Sequence, residues 1–206
     1  MVKVKICGIT DALDALKAYE FGADFVGFIF FKESLRTIDS LRAQKIIESL
    51  PKDLLKVGLF LNQDASRVSK IAKQCHLDIL QLHGDETPEY CKSLHKDFKI
   101  IKAFKVKDEK SIEPVSTYMD VDFYLFDTYV KGLPGGTGKT FNWEFLREKS
   151  FKKPIFLAGG LTPGNVGEAI RKLSPYAVDV ASSVEISPGK KDYKRLKEFI
   201  DNAKKA

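Results

Sequence analysis

The sequence predicts an α/β protein folded as a single (β/α)8 TIM barrel, and three observations support this fold class. Short, continuous apolar runs recur along the chain, as expected for parallel strands that are covered on both faces. An amphipathic stretch follows each run, which gives eight strand–helix units in 206 residues, or about 26 residues per unit. No linker interrupts this rhythm, so we expect residues 1–206 to form one domain.

Hydrophobic periodicity places the first four units. Strand and helix are predicted to alternate over residues 2–6, 11–19, 25–30, 40–50, 55–61, 65–75, 79–82 and 87–94. Thr10 or Asp11 caps the first helix, because a short polar side chain there accepts a hydrogen bond from an amide of the first turn. Pro51 ends the second helix, and Pro88 stands in the first turn of the fourth, where no intrahelical amide bond is lost.

The last four units follow the same pattern. Strand and helix are predicted to alternate over residues 100–104, 109–118, 123–126, 142–148, 154–157, 163–173, 177–180 and 193–203. The helical pattern of residues 109–118 is weak, and a glycine-rich segment separates the sixth strand from its helix. An open, doubly wound parallel sheet is the structural alternative, since it is built from the same alternation.

Composition and charge exclude several classes of protein. The net charge is +6, with lysines scattered over the helical segments, so we expect a solvated surface, a modest attraction for anionic substrates and no nucleic-acid partner. No apolar run approaches the ~20 residues of a membrane helix, and the chain enters a strand pattern at once, so we expect a cytoplasmic protein with no membrane partner. The three cysteines and three histidines have neither disulfide-framework nor metal-site spacing, and Cys75 and Cys91 fall within helix patterns as core residues.

Reactive side chains follow five of the predicted strands, and the C-terminal strand ends of such a barrel form its active site. These residues are Cys7, Arg36, His83, Asp127 and Asp179. A thiol base opposite a carboxylic acid indicates proton transfer on a phosphorylated substrate. An arginine can bind a carboxylate through two parallel hydrogen bonds. Four of these residues also have a structural interpretation: Cys7 as a small buried side chain, Arg36 as a surface residue, His83 as a hydrogen-bonded core residue and Asp127 as an ion-pair partner.

Small residues after the seventh and eighth strands predict a phosphate site. Gly159 and Gly160 allow the backbone to approach an anion, and Ala181, Ser182 and Ser183 open a short helix whose amides point at it. The alternative is that these glycines only form tight turns.

The glycine-rich segment 135–140 does not match a nucleotide-binding loop, because Leu133 stands where that motif requires glycine. We expect a flexible loop that closes over the substrate.

Nine segments occur in the order found in phosphoribosylanthranilate isomerases, and the chain resembles this family over essentially its whole length. They are KICGIT (5–10), GADFVGF (22–28), SLR (34–36), QLHG (81–84), DT (127–128), GGTG with FNW (135–138 and 141–143), GGL (159–161) and PGKKD (188–192). The resemblance implies a ribulose-phosphate-binding barrel, an aldose–ketose isomerase of tryptophan biosynthesis. Its Amadori rearrangement converts N-(5′-phosphoribosyl)anthranilate to 1-(2-carboxyphenylamino)-1-deoxyribulose 5-phosphate with no metal or organic cofactor.

Matched by motif, the resemblance implies that Cys7 is the general base and Asp127 the general acid. Asp127 protonates the furanose oxygen, which opens the ring to a Schiff base, and Cys7 then removes the C2′ proton. Turnover near neutral pH requires the pKa of Asp127 above its ordinary value and the pKa of Cys7 below its own. Arg36 is expected to hold the anthranilate carboxylate.

The remaining substrate contacts are also implied by the resemblance. They are His83, Gly136 and Asp179, of which Asp179 is expected to help place the substrate amine, and Gly159, Gly160, Ser182 and Ser183 around the phosphate. Two positions depart from the family pattern. Ser183 replaces a glycine and is expected to reshape the phosphate loop, because serine adopts positive φ at a cost. Leu35 replaces a proline that often precedes the arginine, and it is expected to loosen that loop.

Three other functions remain as alternatives. An enzyme like indole-3-glycerol-phosphate synthase uses a lysine where Cys7 stands, and a bifunctional relative acting on a histidine-pathway aminoaldose needs an acid there. A non-catalytic barrel that senses a phosphorylated ligand does not require both Cys7 and Asp127. The expected partner is the small-molecule substrate, and the expected assembly is a monomer or a homodimer.

Overall fold

Eight parallel strands form a closed barrel in the computed structural model, which describes residues 1–128 and 140–206. The strands are β1 (Lys3–Cys7), β2 (Phe25–Ile29), β3 (Leu55–Phe60), β4 (Ile79–Leu82), β5 (Lys99–Val106), β6 (Phe123–Thr128), β7 (Ile155–Leu157) and β8 (Ala177–Val180). Each strand pairs with the next, and β8 pairs in parallel with β1. This closure confirms the predicted barrel and rules out the open, doubly wound sheet.

Helices follow the strands on the outside of the barrel. They are α1 (Ala12–Glu20), α2 (Ser40–Glu48), α3 (Ala65–Gln74), α4 (Pro88–His95), α5 (Glu144–Arg147), α6 (Val166–Leu173) and α7 (Tyr193–Lys205). Asp11 caps α1, since its carboxylate accepts hydrogen bonds from the amides of Leu13 and Asp14. After β5, the weak helical pattern forms a 3-10 helix, Glu109–Thr117, with Pro114 inside it. Proline lacks the amide that an α-helix needs at that position.

A short hairpin after β8 is not predicted by the sequence pattern. A 3-10 turn, Ser182–Val184, leads into β9 (Glu185–Ser187), which pairs antiparallel with β10 (Lys190–Lys191). The buried Asp14 of α1 holds this hairpin, because its carboxylate accepts from Lys190 Nζ, the Lys191 amide and Tyr193 Oη, each at 2.9 Å. We call residues 185–191 the β9–β10 hairpin. It lies against the C-terminal end of β1.

The apolar core has two layers, one inside the barrel and one between the barrel and its helices. The interior layer consists of Phe25, Val57, Ile79, Ile101, Ala103, Leu125, Phe156, Ala158 and Ala177. Cys75 and Cys91 are fully buried in the outer layer, which confirms their prediction as core residues. Above the interior layer, Cys7, Ile29 and Leu59 form a small cluster at the C-terminal end of the barrel. Within residues 1–128 and 140–206, no helix is long and apolar enough to cross a membrane.

Candidate active site

A cavity opens at the C-terminal ends of the strands and contains about 590 Å³ of empty space, its open mouth included. Its lining consists of Cys7, Ile29, Phe31, Ser34, Arg36, Leu59, Leu61, Gln81, His83, Asp127, Asp179 and Ala181. The thiol, the guanidinium, the imidazole and both carboxylates expected at the strand ends therefore face one cavity. They come from β1, β6 and β8 and from the segments after β2 and β4.

Cys7 is the last residue of β1 and is buried. Gly27 lies opposite it on β2, and a Cβ at Gly27 would lie 2.8 Å from Cys7 Sγ, so glycine makes room for the thiol. Burial raises the pKa of the Cys7 thiol, and the Asp179 carboxylate raises it as well. The nearby cations Lys5 and Lys191 lower it, but the net pKa lies above the ordinary value. The predicted lowering of the Cys7 pKa is therefore wrong: the environment favours the thiol over the thiolate.

Lys5 lies two residues before Cys7 on the same face of β1 and is fully buried. Its Nζ lies 2.9 Å from Asp179 Oδ1 on the neighbouring β8, and the two residues are register partners. Burial lowers the pKa of Lys5, but Asp179 and Cys7 together raise it above the ordinary value. Lys5 is thus a cation beside the thiol. The sequence signal was its spacing from Cys7, which puts both side chains inside the barrel.

Asp127 is nearly buried at the end of β6 and takes part in a chain of hydrogen bonds. Its Oδ1 accepts from the Thr128 amide at 2.7 Å, and its Oδ2 lies 3.2 Å from His83 Nε2. The other ring nitrogen, His83 Nδ1, lies 2.8 Å from Gln81 Nε2. With Gln81 donating to Nδ1, His83 carries its proton on Nε2 and donates it to Asp127. His83 thus fixes the orientation of the Asp127 carboxylate.

Arg36 is held at the cavity edge by the β9–β10 hairpin. Its Nε lies 3.0 Å from both carboxylate oxygens of Glu185, and its Nη2 lies 2.8 Å from Oε2. Gly8 has a φ of +76°, and a Cβ there would lie 2.7 Å from Arg36 Cδ, so glycine lets the arginine cross the end of β1. The Arg36 amide also donates to Ser34 Oγ at 3.1 Å. Arg36 is therefore anchored even though Leu35 stands where proline was expected.

A second cavity, with about 360 Å³ of empty space, adjoins the first between β7 and β8. Its lining consists of Asp127, Ala158, Gly159, Gly160, Leu161, Asp179, Val180, Ala181 and Ser182. Gly159 has a φ of +80°, and a Cβ there would overlap the backbone of Thr128 on β6. Gly159, Gly160 and Ser182 therefore lie together, as expected for a phosphate site.

Ser183 behaves differently from its prediction. Its hydroxyl donates to the Leu161 carbonyl at 2.5 Å, so the side chain joins the loop after β7 to the turn after β8. The non-glycine residues with left-handed φ in the described ranges are Asn62, His76 and Ser174, so Ser183 carries none of the strain expected from replacing glycine. Its hydroxyl is directed at the backbone and not into the cavity.

Gly136, expected to contact substrate, lies in residues 129–139, outside the described residues. Glu185 and Lys191 were not predicted, although both are buried beside the site. Lys191 Nζ donates to the Cys7 carbonyl at 2.6 Å and to Glu185 Oε1 at 2.9 Å. Burial lowers the pKa of Lys191, and Glu185 offsets part of that effect.

Comparison with known proteins decides the family. A family model described as N-(5′-phosphoribosyl)anthranilate (PRA) isomerase matches residues 4–202. The chain belongs to the phosphoribosylanthranilate isomerase family. This confirms the resemblance carried by the sequence motifs, and it disfavours the reading of the barrel as an indole-3-glycerol-phosphate synthase.

Relatives of this isomerase family match along the entire chain. An N-(5′-phosphoribosyl)anthranilate isomerase from Trichlorobacter lovleyi is 49% identical over 207 residues, covering 100% of both chains. The crystal structure of phosphoribosylanthranilate isomerase from Thermotoga maritima has a TM-score of 0.93 at 41% identity and full coverage of both chains. A further structure, at a TM-score of 0.90, 39% identity and full coverage of both chains, is of a phosphoribosylanthranilate isomerase in complex with reduced 1-(o-carboxyphenylamino)-1-deoxyribulose 5-phosphate.

Proposed function

We propose that this isomerase-family chain converts N-(5′-phosphoribosyl)anthranilate to 1-(2-carboxyphenylamino)-1-deoxyribulose 5-phosphate in tryptophan biosynthesis, with Cys7 as general base and Asp127 as general acid. The observation that supports these roles is that Cys7, Asp127 and Arg36 line one cavity, with a glycine-lined cavity beside it. A base, an acid and sites for two anions are what an aldose–ketose isomerase needs for this substrate.

Binding at the two anionic ends of the substrate orients it for reaction. Arg36 binds the anthranilate carboxylate, and the cavity around Gly159, Gly160 and Ser182 takes the phosphate. The shared lining of the two cavities, which includes Asp127 and Asp179, then faces the sugar between these ends. Fixing both ends limits the motion of the reacting carbons relative to the acid and the base.

Ring opening is the first chemical step. Asp127 donates a proton to the furanose oxygen, the bond between that oxygen and C1′ breaks, and the anthranilate nitrogen supplies the electron pair that forms the C1′–nitrogen double bond. The product is a protonated Schiff base with a free 4′-hydroxyl. His83, which donates to Asp127 Oδ2, keeps that carboxyl oriented during the transfer.

Proton removal from C2′ is the second step. Cys7 takes the C2′ proton, the electrons form a C1′–C2′ double bond, and the iminium nitrogen is neutralised to give an enolamine. The C2′ hydroxyl then loses its proton while C1′ gains one, which yields the ketone. Lys5 and Lys191 favour the thiolate that this step requires, and the substrate iminium adds a third positive charge near Cys7.

Loss of anthranilate-type fluorescence on addition of phosphoribosylanthranilate generated in situ tests this proposal. We expect turnover by the native chain, unchanged after dialysis against a chelator because the substrate nitrogen is the electron sink. We expect no detectable turnover with Cys7→Ala or Asp127→Asn. The matched variants Cys75→Ala and Asp78→Asn alter a thiol and a carboxylate outside the cavity and serve as controls.

The outcomes separate the function from the residue roles. Turnover that survives Cys7→Ala or Asp127→Asn contradicts the role of that residue and leaves the function in place. Binding of the product analogue without any turnover by the native chain favours the ligand-sensing barrel. We further propose that residues 1–206 form one barrel domain that acts in the cytoplasm. We expect this domain to be a monomer or a homodimer, and sedimentation equilibrium would determine which of the two forms is present.

A further inference from the structure

We propose that Glu185 is a specificity-determining positioning residue, which aims the guanidinium of Arg36 at the carboxylate of the substrate. This inference rests on the proposed function, because it assigns Glu185 a part in recognising the anthranilate end of that substrate. Glu185 itself does not line the cavity. It acts through Arg36, and it belongs to a hairpin that the sequence pattern did not predict.

The contacts of Glu185 fix one particular edge of the guanidinium. Both carboxylate oxygens bind the edge formed by Nε and Nη2, at 2.8 to 3.0 Å. Because Nε adjoins the aliphatic chain, holding this edge fixes the plane of the whole group. The second edge, formed by Nη1 and Nη2, has the same spacing of donors and suits a second carboxylate. Among residues 1–128 and 140–206, none accepts a hydrogen bond from Nη1.

Glu185 is itself immobilised from several directions. Lys191 Nζ donates to Oε1 at 2.9 Å, and Arg195 Nη1 donates to the Glu185 carbonyl at 3.1 Å. The side chain of Glu185 is only 3% exposed, compared with 15% for Arg36. A carboxylate this enclosed cannot follow the arginine if the arginine moves. The hairpin therefore acts as the fixed part of the pair, and Arg36 takes its position from it.

The charges of this cluster leave Arg36 able to attract an anion. One carboxylate, Glu185, lies between two cations, Arg36 and Lys191, so the cluster has a net charge of +1. Without Glu185, the two cations would repel each other across a buried space, and Arg36 would turn toward solvent. Lys191 also donates to the Cys7 carbonyl, so the same cluster sets the distance between the carboxylate site and the end of β1 that carries the base.

A purely structural role for Glu185 predicts a different result, and Asp14 provides the control. Asp14 is also a buried carboxylate that anchors the β9–β10 hairpin, through Lys190, the Lys191 amide and Tyr193. It makes no contact with Arg36. Asp14→Asn therefore loosens the hairpin from its other side, whereas Glu185→Gln removes the constraint on the guanidinium.

The test measures binding of two ligands by calorimetry: the reduced product 1-(2-carboxyphenylamino)-1-deoxyribitol 5-phosphate and its phenylamino counterpart without the carboxylate. For Glu185→Gln we expect a Kd about tenfold higher for the first ligand and a change of less than about twofold for the second. In an Arg36→Met background, Glu185→Gln is expected to add nothing further. Steady-state turnover should show the same change in KM, with kcat within about threefold.

Equal losses for both ligands, or a selective loss with Asp14→Asn, would overturn the inference. If Glu185→Gln does not fold, Glu185→Asp keeps the charge, shortens the reach and is expected to give a smaller loss that is again selective for the first ligand. An equal fold-loss of affinity for both ligands in that variant also overturns the inference. Absence of turnover in the native chain would instead refute the proposed function, since the binding measurements do not depend on catalysis.

Discussion

The thiol of Cys7 is buried beside two buried lysines, Lys5 and Lys191, so its pKa depends on these two cations. Burial raises its pKa above the ordinary value, so the thiolate fraction, and with it kcat/KM, increases as the pH rises through that pKa. Lys5→Met removes the cation that lowers the Cys7 pKa most, and we expect the rising limb of the pH–rate profile to move to higher pH by about one unit or more. Thiolate absorbance, titrated in parallel, measures the same shift directly.

The control for this variant must account for Asp179, which loses its partner when Lys5 is removed. Breaking a buried pair costs about 3–5 kcal/mol of folding free energy, because one charge stays buried alone. The double variant Lys5→Met with Asp179→Asn avoids that cost. Since Asp179 raises the pKa of Cys7, we expect the rising limb in the order single variant, double variant, native chain, from highest to lowest pH. A rising limb at the same pH in the single variant and the native chain would show that Lys5 does not act on the thiol.

Gly27 is a second residue on which Cys7 depends. An added Cβ would lie 2.8 Å from the Cys7 sulfur and 3.2 Å from its Cα, so Gly27→Ala displaces the thiol or shifts β2. We expect a loss of about 1–3 kcal/mol in unfolding free energy and at least about a tenfold fall in kcat. Gly164→Ala, whose Cβ would meet its nearest neighbour at 3.8 Å, is the matched control. Equal behaviour of the two variants would contradict the packing argument.

At the level of single residues, the sequence predicts the cavity lining well and the buried charges around it poorly. Cys7 and Asp127 lie at the C-terminal ends of strands and Arg36 follows one, so the barrel topology alone brings them to one end. Glu185 and Lys191 were not predicted, because their importance comes from contacts with residues far away in the chain. The direction of the Cys7 pKa also depends on burial, which no local pattern of residues reveals.

At the level of elements, regular periodicity explains which segments were predictable. The strands and α-helices with a clear apolar period lie close to their predicted positions, and the weak pattern around Pro114 forms a 3-10 helix. The β9–β10 hairpin has strands of three and two residues, too short for a period of two to be recognised. It forms because Asp14, in α1, binds it from the other end of the chain.

In the turn after β8, Ser183 stands where the family pattern has glycine, and the variant Ser183→Gly tests what this difference does. Ser183 joins this turn to the Leu161 carbonyl, and its backbone is not left-handed. We therefore expect Ser183→Gly to lower the unfolding free energy by about 1 kcal/mol, through the lost hydrogen bond and the greater freedom of the unfolded chain. The Kd for the reduced product should stay equal or rise by a few fold. Tighter binding by Ser183→Gly, measured by calorimetry, would mean that serine does distort the phosphate loop.

At the scale of the whole molecule, closure of the barrel ties every unit to its two neighbours. β8 pairs with β1, so the first and last units of the chain share hydrogen bonds along one seam. The pairing of β8 with β1 could be predicted only by counting eight strand–helix units. Neither strand has a sequence feature of its own that specifies the other as its partner. A closed sheet with one interior layer should lose its structure all at once.

Phe156→Ala tests whether the chain unfolds as one domain. Phe156 is fully buried in the barrel interior and contacts the rings of Phe25 and Phe123, so its truncation should cost about 3–5 kcal/mol. We expect denaturation followed by circular dichroism and by the fluorescence of the single tryptophan, Trp143, to shift to the same lower midpoint with an unchanged slope. Leu41→Ala, at a residue 65% exposed, should leave the midpoint almost unchanged. Separate midpoints for the two signals would mean that part of the barrel unfolds independently, and the one-domain organisation would be wrong.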